Sequence, residues 1–167
     1  GEVSVDWKKR KGIVDLAATE NGGRALLASD EHFGVKDNLL LPGRASSPDE
    51  GWQSRRRRGP GHEWVIIRLG VPGHIEKVEI DTNHFKGNYP DSARLDGAFV
   101  PDASVDDFAC GRVAFKPLLA ETKLRPHRRH LIGNGLARHE VFTHVRLRIF
   151  PDGGVSRLRV HGRPRVT

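Results

Sequence analysis

The chain has 167 residues, of which 37% are hydrophobic and 29% charged, and its formal net charge is +7. This length favours one domain with its own core, the absence of an apolar run of about 18 residues excludes a membrane-spanning helix, and the positive charge favours anionic ligands or partners. The single cysteine, Cys110, excludes an internal disulfide and a multi-cysteine zinc site, so we expect a protein of the reducing cytoplasm.

The chain begins at Gly1 and contains no methionine. We therefore expect a fragment of a longer protein, with residues 1 to 167 forming a single domain. Residues 30 to 50 contain Pro42 and Pro48 and little periodicity, which predicts a long surface loop.

Short β-branched runs bounded by glycine or proline follow at residues 64 to 69 and 75 to 80, as is typical of strands. The Gly-Val-Pro-Gly link at residues 70 to 73 predicts a tight reversal between two antiparallel neighbours. Further predictions are a short helix capped by Ser104 at residues 103 to 110 and strands at residues 93 to 100, 113 to 118, 129 to 132, 143 to 150 and 156 to 161. Many short strands indicate an all-β antiparallel sandwich.

Alternation along the strands separates a core face from a charged face. The predicted core residues are Val65, Ile67, Ile80, Leu147, Ile149, Leu158 and Val160. The last two strands are expected to pair and to carry arginines on the opposite face, at Arg146, Arg148, Arg157 and Arg159. Since like charges across a strand pair are unfavourable, we expect compensation by Glu76, Glu79 and other acids, by a bound anion or by another repeat.

Two polar segments are candidates for chemistry. Residues 55 to 62 join four arginines to His62, and the planar fork of arginine suits bidentate binding of a carboxylate, although a solvated basic loop is the alternative. In residues 81 to 91, His84 can exchange a proton near neutral pH, and Asp81 or Asp91 can orient it or share its role. A structural histidine is the alternative there.

The sequence makes no firm case for a metal or another cofactor. Nine histidines and scattered acids leave a divalent metal open. However, His127 and His130 alone form a weak pattern, so no metal ligand is assigned and no cofactor is evident.

In order and spacing, several motifs resemble those of the allantoicase family. They are GWQSRRRR at residues 51 to 58, GHEW at 61 to 64, DTNHFKGNYPD at 81 to 91 and FPDGG at 150 to 154. The resemblance extends to DLA at 15 to 17, GG at 22 to 23, SDEHFG at 29 to 34 and NLL at 38 to 40, and ends near Gly162. It covers nearly the whole chain except residues 102 to 138.

This resemblance implies a jelly-roll β-sandwich similar to galactose-binding modules, present as two repeats, of which this chain is expected to be the C-terminal one. It implies a hydrolase acting on C–N bonds in linear amidines, which converts allantoate to ureidoglycolate and urea in purine and allantoin degradation. The implied partners are the anionic substrate, a second allantoicase repeat and further copies in a homo-oligomer, without nucleic acid or membrane. One repeat alone is expected to act slowly or not at all.

Roles can be assigned within the resembling motifs. Proton transfer is assigned to His84 and Asp81, and substrate binding to Arg55, Arg56, Arg57, His62, Asn83, Lys86, Asn88 and Asp91. Since clamp and proton-transfer groups must lie within one substrate length, we expect residues 55 to 62 and 81 to 91 to form a single polar pocket at one end of the sandwich. The alternatives are a non-catalytic carbohydrate-binding module and, third, a nucleic-acid-binding module.

Overall fold

A computed structural model describes residues 12–165, and most of its regular structure consists of β-strands. The strands are β1 (Val14–Asp15), β2 (Arg24–Ala28), β3 (Trp52–Gln53), β4 (Glu63–Asp81), β5 (Ser92–Ala98), β6 (Lys116–Lys123), β7 (Arg129–Ile132), β8 (Phe142–Phe150), β9 (Gly154–Val155) and β10 (Arg157–Pro164). One α-helix, α1, spans Val105–Ala109, and 3-10 helices occupy Thr19–Asn21, Lys36–Leu40 and Pro48–Glu50. Within the described range, no helix has the length and apolar character that crossing a lipid bilayer requires.

Two antiparallel layers share the long strand β4. The first part of β4 pairs with β2 and β8, and β5 and β6 extend this first layer beyond β8. The second part of β4 pairs with β7 and β10, and β1 completes the second layer beyond β10. The predicted antiparallel jelly-roll β-sandwich is confirmed.

The link between the two parts of β4 differs from the prediction. Residues 70 to 73 do not reverse the chain, because β4 continues through them for 19 residues, and the pairing register with β8 shifts between Arg68 and Gly73. The two parts pair with other strands and not with each other. A Cβ atom at Gly73 would lie 2.7 Å from the carbonyl oxygen of Arg163, so this glycine admits the close approach of β10 and does not form a turn.

Side chains between the layers form the core. All seven predicted core residues have no exposed surface, which confirms the period-two pattern; they are Val65, Ile67, Ile80, Leu147, Ile149, Leu158 and Val160. Full burial of such a side chain contributes roughly 1.5–3 kcal/mol. A shift of one residue in the register of any of these strands would turn that set toward solvent, so the core fixes the pairing.

Most of the later elements lie close to their predicted positions. β7 coincides with its prediction, and β5 and β8 agree within two residues at each end. β6 begins later and ends later than predicted, and β10 extends further. The capped helix is confirmed, because the Asp107 N–H donates to Ser104 Oγ at 3.3 Å and the Ser104 N–H donates to the Asp107 carboxylate at 2.9 Å.

The two arginine-bearing strands do not pair with each other, so that prediction is wrong. β8 pairs with the first part of β4 and β10 with the second part, because β4 passes from one layer to the other. Arg146 and Arg148 of β8 instead form ion pairs with Asp96 at 2.8 and 3.2 Å. The expected acids Glu76 and Glu79 instead contact Arg129 of β7, Arg163 of β10 and Arg138 of the loop before β8.

Arginines of β10 hold the predicted loop of residues 30 to 50 against the second layer. Arg157, which is 3% exposed, donates to the carbonyls of Gly43 and Asn38, each at 3.0 Å. Arg159 donates to the same Gly43 carbonyl at 2.8 Å. Burial, and after it the neighbouring charge of Arg159, lowers the pKa of Arg157. These bonds fix the position of Arg44, the next residue in the loop.

Candidate functional site

Three loops meet where β4 ends at Asp81. The side chains of Asn83 and His84 both donate to the Ala45 carbonyl, Asn83 through Nδ2 at 2.9 Å and His84 through Nε2 at 3.0 Å. Thr82 donates through its N–H to the Arg128 carbonyl at 2.9 Å. Segments distant in sequence are thus joined around one turn. We call the group formed by Arg44, Asp81, Asn83, His84 and His127 the His84 site.

Asp81 is the buried anchor of this site. Its side chain has no exposed surface, and Arg44 donates to both carboxylate oxygens, through Nε at 3.0 Å and Nη2 at 3.1 Å. The Asn83 N–H also donates to Oδ1 at 3.0 Å. Bidentate, charge-assisted bonds of this kind are strong and directional. Such surroundings favour a positioning role for Asp81 over the proton-transfer role that we expected.

His84 and His127 form a pair with unusual backbone geometry. Their φ angles are 71° and 48°, and they are the non-glycine residues with positive φ among residues 12–165. A non-glycine residue in this region costs free energy and persists where its surroundings enforce it, often at functional sites. The His84 N–H donates to His127 Nδ1 at 2.9 Å, and the ring centroids are 5.5 Å apart.

The hydrogen bonds assign the tautomers of the two rings. Because His84 Nε2 lies against a carbonyl oxygen, it must carry a proton, and His84 Nδ1 is left as the proton acceptor of the neutral ring. Because His127 Nδ1 accepts a backbone N–H, neutral His127 carries its proton on Nε2. The pair therefore offers a ligand one hydrogen-bond acceptor, His84 Nδ1, and one donor, His127 Nε2–H.

Exposed cations border the His84 site. Lys86 follows His84 in the same loop, and Arg125 and Arg128 lie in the loop that binds Thr82; all three are exposed. Arg44 has about half of its side chain exposed, at 49%. A group of cations on loops raises the local concentration of anionic ligands.

The arginine segment, residues 55 to 62, is held mainly through its backbone. The N–H groups of Arg55 and Arg57 donate to the carboxylates of Asp30 and Asp152 at 2.5 and 2.6 Å. The Arg57 side chain donates to Glu63 at 2.6 Å. The remaining arginines of the segment, Arg55, Arg56 and Arg58, are exposed. Arg57 therefore already has a carboxylate partner, whereas its neighbours extend into solvent.

His62, which ends this segment, is half-buried beside Phe150, with ring centroids 5.5 Å apart. Burial, followed by the charges of Arg148, Arg146 and Arg57, lowers the pKa of His62. These surroundings favour the neutral form of His62.

Both predicted segments contact the turn at residues 150 to 154. On one side, the Arg57 N–H donates to the Asp152 carboxylate at 2.6 Å; on the other, the Gly154 N–H donates to the Asn88 carbonyl at 2.9 Å. The Asp91 N–H donates to the Phe150 carbonyl at 2.9 Å. These contacts bring residues 55 to 62 and 81 to 91 to the same end of the sandwich.

The two segments are held by different partners, however, so a common pocket stays a prediction. Asn83 and His84 bind Ala45, and no hydrogen bond joins side chains of the two segments within the described part of the chain. An open cavity of about 580 Å³ beside the second segment is lined by Tyr89, Asp91, Ser92, Glu121, Lys123 and Leu124. It contains no arginine, so this cavity is not the expected common pocket.

Sequence reasoning missed Arg44 and His127. Arg44 lies in a segment that had no distinguishing pattern, and His127 was considered only as half of a weak metal pair. Its supposed partner His130 is structural, since its two ring nitrogens contact the Ile80 carbonyl and the Arg125 N–H, each at 2.9 Å. Across residues 12–165, no three His, Cys, Asp or Glu side chains converge as ligands of a metal ion would.

Comparison with known proteins identifies relatives that match almost the full length of this chain. The family model described as Allantoicase repeat matches residues 14–165. A probable allantoicase of Pseudomonas aeruginosa (strain LESB58) is 49% identical over 163 residues, which are 96% of this chain and 49% of that protein. This chain therefore spans about half the length of the curated relatives it matches.

Solved structures agree with the sequence relationship. The crystal structure of allantoicase from Saccharomyces cerevisiae has a TM-score of 0.78 and 38% identity over 90% of this chain and 43% of that one. Chitosan-binding module 1 of a Paenibacillus sp. IK-5 chitosanase/glucanase has a TM-score of 0.63 over 89% of this chain and 99% of that one, but only 15% identity, and so shares the fold alone. With the family model matched from β1 to the end of β10, the chain belongs to the allantoicase family.

Proposed function

We propose that this chain is one repeat of an enzyme that hydrolyses allantoate to ureidoglycolate and urea. The observation that carries the proposal is the match of the allantoicase repeat over residues 14–165. The curated relatives are about twice as long as this chain, which supports a second repeat in the complete enzyme. Within that enzyme, we treat the whole chain as a single domain.

The reaction breaks one C–N bond of a carbon that carries a carboxylate and two ureido groups. A water oxygen bonds to that carbon, and urea leaves with a proton from the water. A group that takes the proton from water and returns it to the departing nitrogen can serve both steps. We assign this role to His84, because its Nδ1 is the acceptor of the neutral ring. His127 can donate a hydrogen bond from its Nε2–H to the leaving group, while the transferred proton comes from His84.

Asp81 and Asn83 are assigned as positioning residues. The Asp81 carboxylate holds Arg44 and the backbone of Asn83, and the Asn83 side chain binds the same carbonyl as His84. Together they keep the loop that carries His84 in its strained conformation. Neither needs to contact the substrate for this role.

We assign the carboxylate clamp to exposed cations. Arg55 and Arg56 remain candidates from the arginine segment, whereas Arg57 is held by Glu63. Lys86 and Arg128 lie on the loops of the His84 site itself. Arginine binds a carboxylate with two parallel hydrogen bonds. Substrate roles for His62, Asn88 and Asp91 remain predictions, since the structure shows only their packing and backbone contacts.

Kinetics of the two-repeat enzyme tests these assignments. His84→Ala should lower kcat by about 10²–10⁴-fold with little change in KM, because proton transfer acts in the transition state. Arg56→Gln or Arg128→Gln should mainly raise KM if the residue clamps the substrate. His139→Ala, at an exposed histidine in a different loop, is the matched control. Wild-type kinetics in the His84 variant would remove His84 from the site.

The isolated repeat supplies a second test. We propose that this chain folds alone but hydrolyses allantoate slowly, because one repeat lacks whatever the other contributes to the site. Urea release by the 167-residue chain should be far below that of the two-repeat enzyme at equal site concentration. Equal turnover would contradict the need for two repeats.

We also propose that the enzyme is a cytoplasmic homo-oligomer. The free thiol of Cys110 is exposed, which suits a reducing compartment. Phe33 and Leu131 expose 60% and 56% of their surface, and burial of such apolar surface between copies would favour association. Sedimentation velocity would measure the oligomeric state, and a strictly monomeric two-repeat enzyme would contradict this part.

A further inference from the structure

Three arginines surround a single carboxylate on the outward side of the first layer. Arg94 donates to Asp96 Oδ1 at 2.9 Å, and Arg146 and Arg148 donate to Oδ2 at 2.8 and 3.2 Å. Asp96 is only 2% exposed. Burial alone would raise the pKa of Asp96, but hydrogen bonds from Arg146 and Arg148, together with the charges of Arg146 and Arg94, outweigh burial and lower it. The cluster therefore has three positive charges for one negative charge.

Arg94 and Arg148 carry the unbalanced charge. The register of β5 and β8 places Arg94 directly opposite Arg148, whereas Asp96 lies opposite Arg146. Like charges directly opposite on neighbouring strands are destabilising. The Nε atoms of Arg94 and Arg148 are also buried without a hydrogen-bond partner in the described part of the chain. A buried donor without an acceptor is costly and calls for an explanation.

Aromatic rings lie against two of the three guanidinium groups of the cluster. Phe150 lies with its ring centroid 5.5 Å from Arg148 Cζ, and Phe115 lies 4.2 Å from Arg146 Cζ. Aromatic rings contact the face of a guanidinium plane, and the N–H groups point from its edge. The side chains of Arg94 and Arg148 are 28% and 21% exposed, so a ligand from solvent can reach the exposed part of these side chains, which does not include the buried Nε atoms.

We propose that Arg94 and Arg148 bind a carboxylate at a site separate from the His84 site. Two carboxylate oxygens match the paired N–H groups of arginine, and the added negative charge compensates the like-charged pair. The site lies on the face of the sheet, whereas the His84 site lies on the loops at the end of β4. The carboxylate belongs either to a free small molecule or to an acidic side chain of another copy of this chain. The proposal does not depend on the hydrolysis of allantoate.

Nuclear magnetic resonance of the isotope-labelled 167-residue chain tests this site. The Nε–H signals of Arg94 and Arg148 are followed during titration with sodium malonate, with sodium chloride at equal ionic strength as reference. Malonate should shift both signals in a saturable manner. Arg94→Gln should weaken binding by about tenfold or more, because one of two charged partners is lost. A response no greater than that to chloride would overturn the proposal.

Arg163→Gln is the matched control, because Arg163 lies on β10 of the other layer and is 60% exposed in its pair with Glu76. It should bind malonate as the wild type does. If Arg94→Gln does not fold, Arg94→Lys keeps the charge but removes the planar fork, and its affinity should also fall. Wild-type affinity in a folded Arg94 variant would overturn the proposal.

A dilution series without malonate distinguishes the two sources. Signals that shift with protein concentration and also respond to malonate indicate an acidic side chain of a second copy, which malonate displaces. Signals that are independent of concentration but respond to malonate indicate a free small carboxylate. Either result supports a carboxylate site.

Discussion

His144 gives the stability of this domain a pH dependence that one substitution should remove. The side chain is 3% exposed, its Nδ1 lies 2.8 Å from Thr143 Oγ1, and its ring lies 4.7 Å from that of Phe108. Burial, with a smaller contribution from the charge of Arg68, lowers the pKa of His144 to about 4. In the unfolded chain a histidine titrates near pH ~6.5.

The sign of the effect follows from proton binding. Between pH ~6.5 and pH ~4, the unfolded chain binds a proton that the folded chain does not, so a falling pH favours unfolding. At about 1.4 kcal/mol per pKa unit, the difference is at most about 3 kcal/mol, and we expect about 2 kcal/mol because solvent screens part of the cost of charging the ring. The contribution of His144 is constant above pH ~7 and is lost by pH ~4.

Urea denaturation at a series of pH values measures this contribution. His144→Asn keeps a polar atom near the position of Nδ1 but does not titrate. The free energy of unfolding of the wild type minus that of the variant should be constant above pH ~7 and should fall by about 2 kcal/mol as the pH decreases to ~4.5. The plateau above neutrality is the internal control, because it reports only lost packing. A difference that does not change with pH would refute this account of the buried imidazole.

Gly154→Ala should destabilise the domain by about 1–3 kcal/mol, because its Cβ would lie 2.0 Å from the Phe85 ring. In Gly87→Ala no atom lies within 4 Å of the new Cβ, so its urea midpoint of unfolding should equal that of the wild type. Equal midpoints for the two variants would contradict the close packing of Gly154 against Phe85. Asp81→Asn should cost about 1–3 kcal/mol in urea denaturation through its weakened buried hydrogen bonds and should lower kcat in the two-repeat enzyme, whereas exposed Asp102→Asn should change neither. An Asp81 variant with wild-type stability would exclude its positioning role.

Period-two alternation was sufficient to predict the sandwich. Leu147 alternates with Arg146 and Arg148, so its burial could be predicted without knowing the partner strands. The path of β4 could not be read in this way, because Gly-Val-Pro-Gly is equally compatible with a turn and with a strand that crosses between layers. Only the pairing with β8 and β10 separates these two cases.

The candidate site was only partly predictable. His84 and Asp81 were proposed from the sequence because they share one polar loop after a strand. Arg44 and His127 were not, because they lie 37 and 43 residues away from the groups that they contact. The left-handed backbone of His84 had no local signal either, since that conformation usually indicates glycine or asparagine. Contacts between loops that are distant in sequence can be identified only from the folded structure.

The continuity of β4 has a consequence for how the domain opens. Its 19 residues supply hydrogen-bond partners to both layers, so releasing either layer would leave half of the same strand as an unpaired edge. Neither layer is then a separate unit of local unfolding. Amide hydrogens in the β4 and β8 pairing and those in the β4 and β10 pairing should therefore exchange with solvent through the same global opening, and a backbone cut within residues 70 to 73 should abolish the protection of both.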